Sequence, residues 1–289
     1  MAAQKFGGTW SILKVDAVAN YMEKFNTALK YQSFKRIYID AFAGSGDFSF
    51  DATSAPLLDE HEAVRVHEGS ARRALAVDPP FTRLIFIDRK PANIRALKSL
   101  GTQDERVTII SGDANIEVKQ IISKINWEDT RGVIFLDPFG NSVGWETLRA
   151  IARTKLDLWY LFPLSGVYRN APNNHALLTE DKRSTLNFIL GTNEWESAFY
   201  AAPPVTGAPD LFGYVQPAAG MQRVLNPDGI EAWVKRRLED EFPLVLPPAR
   251  ILGKTNAPMF SLFFAMANHS KAAQKVGRPI ATAVLKNLR

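Results

Sequence analysis

The sequence predicts a doubly wound α/β fold, in which a mostly parallel sheet is covered by helices on both faces. Short, continuous apolar runs are bounded by charged residues or glycine, as strands buried on both faces are. These runs lie at 36–43, 83–88, 106–111, 132–137 and 156–162. Stretches with helical periodicity separate them, and such an alternation of strand and helix is typical of parallel strands joined by crossovers.

Helices are predicted before and between these strands. Apolar residues at helical spacing predict an amphipathic N-terminal helix over 10–30. The shorter helical patterns cover residues 70–76, 91–100, 115–125 and 145–152. For the first of these we expect Ser70 to be the N-cap, because serine readily caps a first helical turn. A later helix is predicted over 229–241, with Asp228 as its N-cap and Glu231 in the capping-box position.

The remaining elements close the predicted domain. A strand pair is expected at 243–252 and 258–267, followed by a final helix from about Ser270. Pro, Gly and Ala dominate residues 201–220, which predicts a long irregular excursion. We therefore expect one domain over residues 1–289, with insertions near 47–69 and 165–228.

Composition excludes several classes of protein. With 289 residues, 46% of them hydrophobic and 22% charged, the chain is typical of globular proteins with a substantial core. No run reaches the roughly 18 apolar residues that a membrane span needs, and residues 1–9 lack a secretion signal, so we expect a cytoplasmic protein without membrane attachment. The absence of cysteine excludes thiol chemistry, and the four scattered histidines predict no metal site.

Positive charge is concentrated at the C-terminal end. The formal net charge is +5, and no acidic residue follows Glu241. Seven basic residues do follow it: Arg250, Lys254, Lys271, Lys275, Arg278, Lys286 and Arg289. This distribution predicts that segment 250–289 contacts nucleic-acid phosphates, although solubilising surface lysines would give the same pattern.

Four aspartates follow the predicted strands at their carboxyl ends. They are Asp40, Asp88, Asp113 and Asp137. A carboxylate is costly to bury without a partner, and the ligand crevice of an open α/β sheet lies outside the carboxyl ends of its strands. The four side chains are therefore predicted to line one cleft, while helix caps or βα turns are the alternative for each of them.

The loop after the first strand carries two glycines, Gly44 and Gly46, which allow a sharp turn and a close approach of backbone to ligand. A dinucleotide fingerprint would need a third glycine at position 49, where the chain has Ser49. No helical pattern opens there to receive a pyrophosphate. An NAD-dependent oxidoreductase is therefore disfavoured.

The aspartates instead suit a ligand that carries an adenosine without a phosphate. Asp40 would lie near a cationic amine, Asp88 would bind vicinal ribose hydroxyls, and Asp113 would accept from an adenine amino group. S-adenosylmethionine has all three groups, and it is the cofactor we predict.

The fourth strand leads to the run Asp137-Pro138-Phe139-Gly140. The lone pair of an exocyclic nucleobase amine is delocalised into its ring, so an enzyme must accept hydrogen bonds from that amine. Asp137 and the carbonyl of Pro138 could accept them, and Phe139 offers a flat face for an extruded base. A βα turn with a proline and a core phenylalanine is the structural alternative.

Four features together resemble the three-Cys-motif partner protein (TcmP) family. They are Lys14, YIDAFAGSG at 38–46, Gly69-Ser70 followed by Ala74-Leu75, and FLDPFG at 135–140 with Trp145. The resemblance covers about residues 10–165. It implies a Rossmann-like class I S-adenosylmethionine-dependent methyltransferase fold with an extra N-terminal helix. It also implies a partner protein that carries a three-cysteine motif similar to that of radical-SAM enzymes.

Related methyltransferases imply further roles and leave the acceptor open. A basic residue in their N-terminal helix reaches the carboxylate of the cofactor, which implies this role for Lys14. Bacterial ribosomal RNA adenine-N6 methyltransferases have Asp-Pro-Pro-Tyr, whereas this chain lacks the second proline and has its aromatic Phe139 one position earlier. An Asp-Pro-Phe-Gly run similar to this one occurs in tRNA guanine-N2 methyltransferases, so adenine and guanine both stay open, as do RNA and DNA.

The predicted site has three parts. Cofactor contacts are expected from Lys14, Asp40, Phe42, Gly44, Gly46, Asp88 and Asp113. Catalysis is expected to rest on Asp137, Pro138 and Phe139, with the loop residues Tyr168 and Arg169 on the target nucleotide. The predicted function is an S-adenosylmethionine-dependent N-methyltransferase acting on an exocyclic base amine. A non-catalytic cofactor- or nucleic-acid-binding partner of a three-Cys-motif protein is the alternative.

Overall fold

A computed structural model describes residues 4–5, 10–49, 67–102, 104–203, 220–253 and 257–288. We number the strands of its main sheet in chain order. They are β1 Lys35–Asp40, β2 Arg83–Asp88, β3 Val107–Ser111, β4 Thr130–Leu136, β5 Leu156–Phe162, β6 Leu244–Val245, β7 Ala249–Leu252 and β8 Pro258–Met266. Short two- and three-residue strands outside this sheet lie at Gln4–Lys5, Asp47–Ser49, His67–Glu68, Tyr200–Ala201 and Gln222–Arg223.

Ten α-helices are described, and a single 3₁₀ turn lies at His175–Leu177. The helices are α1 Trp10–Leu29, α2 Ser70–Leu75, α3 Pro91–Gly101, α4 Ala114–Ile122, α5 Trp145–Ala152, α6 Leu164–Asn170, α7 Glu180–Leu190, α8 Trp195–Phe199, α9 Pro227–Glu241 and α10 Lys271–Lys286. Strands and helices alternate from β1 to β5, as the periodicity predicts.

The main sheet has the strand order β6-β8-β5-β4-β1-β2-β3, and β7 pairs with the outer part of β8. Strands β1 to β5 are parallel, whereas β8 runs antiparallel to β5 and to both of its other neighbours. This topology, with the extra helix α1, is the Rossmann-like class I methyltransferase fold. The C-terminal antiparallel pairing that the sequence predicts is confirmed.

Apolar side chains cover both faces of the sheet, because its strands alternate between two buried layers. On one face, α1, α2, α3 and α10 pack over residues such as Tyr38 and Trp159. On the other, α4 to α9 pack over residues such as Ile39 and Tyr160. Helices thus cover both faces of the sheet. The edge formed by the carboxyl ends of the parallel strands is where a site is expected.

Three local predictions are wrong. Helix α9 is capped by Asn226, whose Oδ1 accepts from the backbone of Gly229 at 2.9 Å, and Pro227 follows at N1 where its missing N–H costs nothing. Helix α2 is capped by Gly69, so that Ser70 is its first residue. Tyr168 and Arg169, expected in a loop, lie in helix α6, because Leu164 and Val167 of that helix are buried in the core.

Parts of both predicted insertions, residues 50–66 and 204–219, lie outside the described residues. Within the described part of the second insertion, α7 and α8 bury Leu186, Ile189, Trp195 and Phe199 against the core. No helix in the described ranges is both long and apolar enough to cross a membrane.

Candidate functional site

A cleft of about 330 Å³ opens at the carboxyl ends of strands β1 to β4. The chain leaves β1 for β2 and β3 on one side and returns for β4 on the other, so the cleft lies at the topological switch point. Helix α1 and Phe260 of β8 complete its walls. Its volume is in the range of small-molecule sites.

Two glycines after β1 adopt left-handed backbone conformations. The φ angles are +62° for Gly44 and +85° for Gly46, a region that non-glycine residues rarely enter. The backbone N–H of Gly69 donates to the carbonyl of Gly46 at 2.8 Å, and a Cβ at position 69 would lie 2.7 Å from that oxygen. The next element is the strand Asp47–Ser49, so the glycine loop does not lead directly into a helix N-terminus as a dinucleotide-binding loop does.

Asp40 lies behind the cleft wall and not in it, which corrects the prediction that it meets a cationic amine. Its side chain is fully buried. Its carboxylate accepts from Phe42 N at 3.2 Å, from the Tyr38 hydroxyl at 3.4 Å and from the Ser70 side chain. Burial raises the pKa of Asp40 to about 7. The residue holds the glycine loop to α2, while Phe42 itself lines the cleft.

Asp88 lines the cleft and is held by three hydrogen bonds. It accepts from Gly44 N at 3.1 Å, from Lys90 N at 2.7 Å and from Asn93 Nδ2 at 3.0 Å. A carboxylate has about four acceptor positions, so one remains on Oδ1 for a ligand hydroxyl. Asn93 carried no signal in the sequence, because an asparagine in a first helical turn is ordinary.

Asp113 both lines the cleft and caps a helix. Its Oδ1 accepts from Asn115 N at 2.9 Å, which satisfies an N–H group at the start of α4. The side chain is exposed, and no described residue bonds its Oδ2. The helix cap and the predicted ligand contact are therefore compatible at this position.

Asp137 and Lys14 meet in the cleft. The Lys14 ammonium donates to Asp137 Oδ2, and the two side chains are 10% and 21% exposed. The prediction placed Lys14 on the cofactor carboxylate, whereas the structure directs it at the acceptor loop after β4. The contact of Lys14 with the cofactor carboxylate stays a prediction.

Phe139 stands at the rim of the cleft with 72% of its surface exposed. It is not the core phenylalanine of the structural alternative. Pro138 and Gly140 flank it, and Gly140 has a φ of +69°. The Lys90 ammonium lies 5.7 Å from the centroid of the Phe139 ring. The rim thus presents an aromatic face between the loops that follow β2 and β4.

The structure does not bring Tyr168 and Arg169 to this cleft. Both lie in α6, and neither is among the residues that line the cleft. The Arg223 guanidinium covers the Tyr168 ring at 3.4 Å and donates to the Tyr168 carbonyl at 2.7 Å. The predicted contact with a target nucleotide is therefore not supported for this pair, because Tyr168 already has a structural partner.

The basic C-terminal residues fall into two groups. Arg250 is held by Asp228 and Glu231 at 2.6 and 2.7 Å, so its charge is already neutralised. The exposed Lys271, Lys275, Arg278 and Lys286 share one face of α10 at 3.6-residue periodicity. Lys254 and Arg289 lie outside the described residues. Across the described ranges, no three His, Asp or Glu side chains cluster as a metal site requires.

Comparison with known proteins bears on the fold. No family model matches the sequence, and no curated protein matches it significantly. The Legionella pneumophila protein LPL1258, of family DUF519, is similar with a TM-score of 0.54 and 11% identity, over 96% of this chain and 92% of that chain.

Two further solved structures overlap more loosely. The CurJ carbon methyltransferase gives a TM-score of 0.40 at 14% identity, over 88% of this chain and 55% of its own. TYW2 from M. jannaschii, in complex with AdoMet, gives 0.32 at 9% identity, over 86% and 74%. Scores this low carry no argument of their own. The Legionella protein, at 11% identity, supports the fold of this chain and nothing finer.

Proposed function

We propose that this chain is an S-adenosylmethionine-dependent N-methyltransferase that acts on an exocyclic amine of a nucleic-acid base. The observation that carries the proposal is the acceptor loop after β4. Its Asp137 carboxylate and its exposed Phe139 ring line the same cleft as Asp88 and Asp113. An acceptor group and a cofactor would therefore share one cleft.

The cleft residues fit the cofactor by their chemistry. Asp88 keeps an acceptor position for a ribose hydroxyl, and Asp113 keeps Oδ2 for an amino group. The left-handed Gly44 and Gly46 keep side chains out of the floor of the cleft. When bound, S-adenosylmethionine supplies an already activated methyl group, so the chain needs no covalent nucleophile. Its lack of cysteine is compatible with that chemistry.

The acceptor half of the reaction falls to three groups. The Asp137 carboxylate and the Pro138 carbonyl would accept hydrogen bonds from the two N–H groups of the base amine, which directs its lone pair at the methyl carbon. The exposed Phe139 ring would hold the base plane by stacking. The new N–C bond forms as the methyl–sulfur bond breaks, and the amine proton leaves toward Asp137 or water.

Lys14 fixes the orientation in which the Asp137 carboxylate would meet its substrate. Its ammonium holds one carboxylate oxygen, which leaves the other for the amine. Lys14 is therefore a positioning residue in this proposal, and it joins α1 to the acceptor loop.

The same ion pair favours a second candidate function. The charge of the Asp137 carboxylate is already compensated by the Lys14 ammonium, so the carboxylate is stable in the cleft without a substrate amine. The cleft could therefore hold a cofactor or nucleic acid without catalysing a reaction. In that case the chain would serve as a non-catalytic partner of a three-Cys-motif protein. The two candidates differ in one observable, which is methyl transfer.

Calorimetric titration with S-adenosylmethionine, S-adenosylhomocysteine and NAD tests the cofactor site. We expect the first two to bind wild type and Asp129→Ala, and Asp88→Ala to lose that binding. Transfer of radiolabelled methyl groups to total RNA or DNA would then support the enzyme. Cofactor binding with no transfer to either would support the non-catalytic partner, and NAD binding alone would contradict both.

A further inference from the structure

Two adjacent cations at the cleft rim are not used by the proposed reaction. Arg89 and Lys90 directly follow β2, and both are exposed and line the cleft. Within the described residues neither forms an ion pair with a carboxylate. The cleft's third cation, Lys14, is paired with Asp137. The rim after β2 therefore carries positive charge that no carboxylate of the described residues neutralises.

The backbone of Lys90 is fixed although its side chain is exposed. Its N–H donates to Asp88 Oδ1 at 2.7 Å, and Pro91 follows it as the first residue of α3. The stem of Lys90 therefore starts from a defined place. From there its ammonium reaches across the mouth of the cleft to 5.7 Å from the centroid of Phe139.

The position of this ammonium over an exposed ring suggests an exchange of partners. A base that stacked on Phe139 would compete with the ammonium for the ring face. In a nucleotide, the phosphate is attached to the same sugar as the base and therefore lies near it. A charge-assisted hydrogen bond from an ammonium to phosphate is stronger than an exposed cation–π contact. The ammonium could then move from the ring to that phosphate without moving its backbone.

We infer that Lys90 binds the phosphate of the nucleotide whose base stacks on Phe139, with Arg89 adding positive charge at the same rim. The inference rests on the proposed function and deepens it, because it names a residue that binds the phosphate of the nucleotide that carries the target base. The phosphate can belong to a nucleic-acid strand or to a free nucleotide.

The test compares Lys90→Gln with Lys98→Gln, a matched loss of charge at an exposed position of α3, the helix that Lys90 precedes. Fluorescence anisotropy would follow a labelled, mixed-sequence single-stranded RNA and its DNA counterpart across salt concentrations, with AMP and GMP as competitors. For Lys90→Gln we expect roughly three- to tenfold weaker binding at low salt, and a salt slope smaller by about 0.7, as one lost phosphate contact gives. Phe139→Ala should weaken binding by roughly tenfold with an unchanged slope.

Several outcomes would overturn the inference. The first is that Lys90→Gln and Lys98→Gln bind the oligonucleotides with the same affinity and the same salt slope. The second is that the wild-type protein binds no nucleotide. The third is that Lys90→Gln loses S-adenosylmethionine binding. Competition by AMP or GMP at the affinity of the strand would assign the phosphate to a free nucleotide. Calorimetry of the cofactor reports the proposed function separately, because it contains no nucleotide substrate.

Discussion

The ammonium of Lys14 donates a hydrogen bond to Oδ2 of Asp137, which joins helix α1 to the loop after β4. Both side chains are largely buried, so the ion pair between them offsets the free-energy cost of removing each charge from water. The contact links the part of the fold that precedes the sheet to the loop proposed to hold the acceptor. Its removal should therefore affect both stability and chemistry.

We expect Lys14→Met to lower the unfolding free energy by about 1–3 kcal/mol, because it leaves a half-buried carboxylate without its ion pair. Methyl transfer should fall more than tenfold while S-adenosylmethionine still binds. Urea denaturation and a transfer assay measure the two effects. Lys24→Met, at an exposed position of the same helix, is the control, and equal behaviour of the two variants would contradict the role of Lys14.

Asp137→Ala should abolish methyl transfer and leave cofactor binding intact, because the carboxylate is proposed to bind the acceptor amine and Lys14 but not the cofactor. Asp129, beside the amino end of the same strand, pairs with Lys35 on the surface, so Asp129→Ala is a matched control with wild-type transfer. Radiolabel transfer and calorimetry give the two readouts. An Asp137→Ala variant with wild-type turnover would remove Asp137 from the mechanism.

Gly69→Ala should lower the unfolding free energy by roughly 1–3 kcal/mol and weaken cofactor binding. The added methyl group would meet the Gly46 carbonyl at 2.7 Å, and backbone cannot yield as a side chain does. Gly220→Ala places its methyl group in open space and is the control. Thermal unfolding and calorimetry report the outcome, and equal stability of the two variants would show that the loops separate easily.

The unfolding free energy should fall as the pH rises from about 4 to about 7, because two carboxyl groups are buried inside the fold. Asp157 accepts from the Tyr21 hydroxyl at 2.6 Å, and burial raises the pKa of Asp157 from 3.8 to about 7. The folded state thus keeps a proton that the unfolded chain releases above about pH 4. This stabilisation is complete below about pH 4 and is lost as pH rises through about 7.

Asp157→Asn should therefore flatten the pH dependence of the unfolding free energy in this window. Some slope should remain, because burial also raises the pKa of Asp40 to about 7. Asp129→Asn should leave the window unchanged, since the hydrogen bond from Lys35 lowers the pKa of that exposed carboxyl. Urea unfolding at successive pH values is the measurement, and a wild-type slope in Asp157→Asn would contradict the prediction.

The basic face of α10 should contribute phosphate contacts that depend on salt. Removing two charges with Lys275→Gln and Arg278→Gln should lower the salt slope of single-strand binding by about 1.4. Lys119→Gln with Lys124→Gln removes equal charge from exposed positions near α4, on the opposite face of the sheet, and should leave the slope unchanged. A wild-type affinity that is flat between low and physiological salt would count against any phosphate contact here.

Much of the fold could be predicted from the sequence, because a parallel strand that is buried on both faces has a continuous apolar run in its sequence. The runs that end at Asp40, Asp88 and Leu136 are apolar without alternation, and each became a central strand. The helix cap at Asn226 was missed because Asp228 also fits a capping pattern. Only the backbone geometry distinguishes the two residues.

The candidate site was predictable in composition more than in detail. Strand ends placed the aspartates at one edge, but spacing along the chain does not tell which carboxylate faces the cleft and which lies behind it. Asp40 lies behind it because its side chain points into the layer under α2. The ion pair of Lys14, the hydrogen bond of Asn93 and the rim position of Lys90 depend on contacts distant in sequence, which local patterns do not report.

The cleft is built from both ends of the chain, since Lys14 of α1 and Phe260 of β8 stand in the same wall as the loops between them. Contacts between residues so far apart in sequence carry a large cost of chain closure when they form. A ligand bound in this cleft would therefore stabilise the contacts between α1, β8 and the loops between them. Its binding should slow amide hydrogen exchange in α1 and β8 together, so that the two ends of the chain report a single opening event.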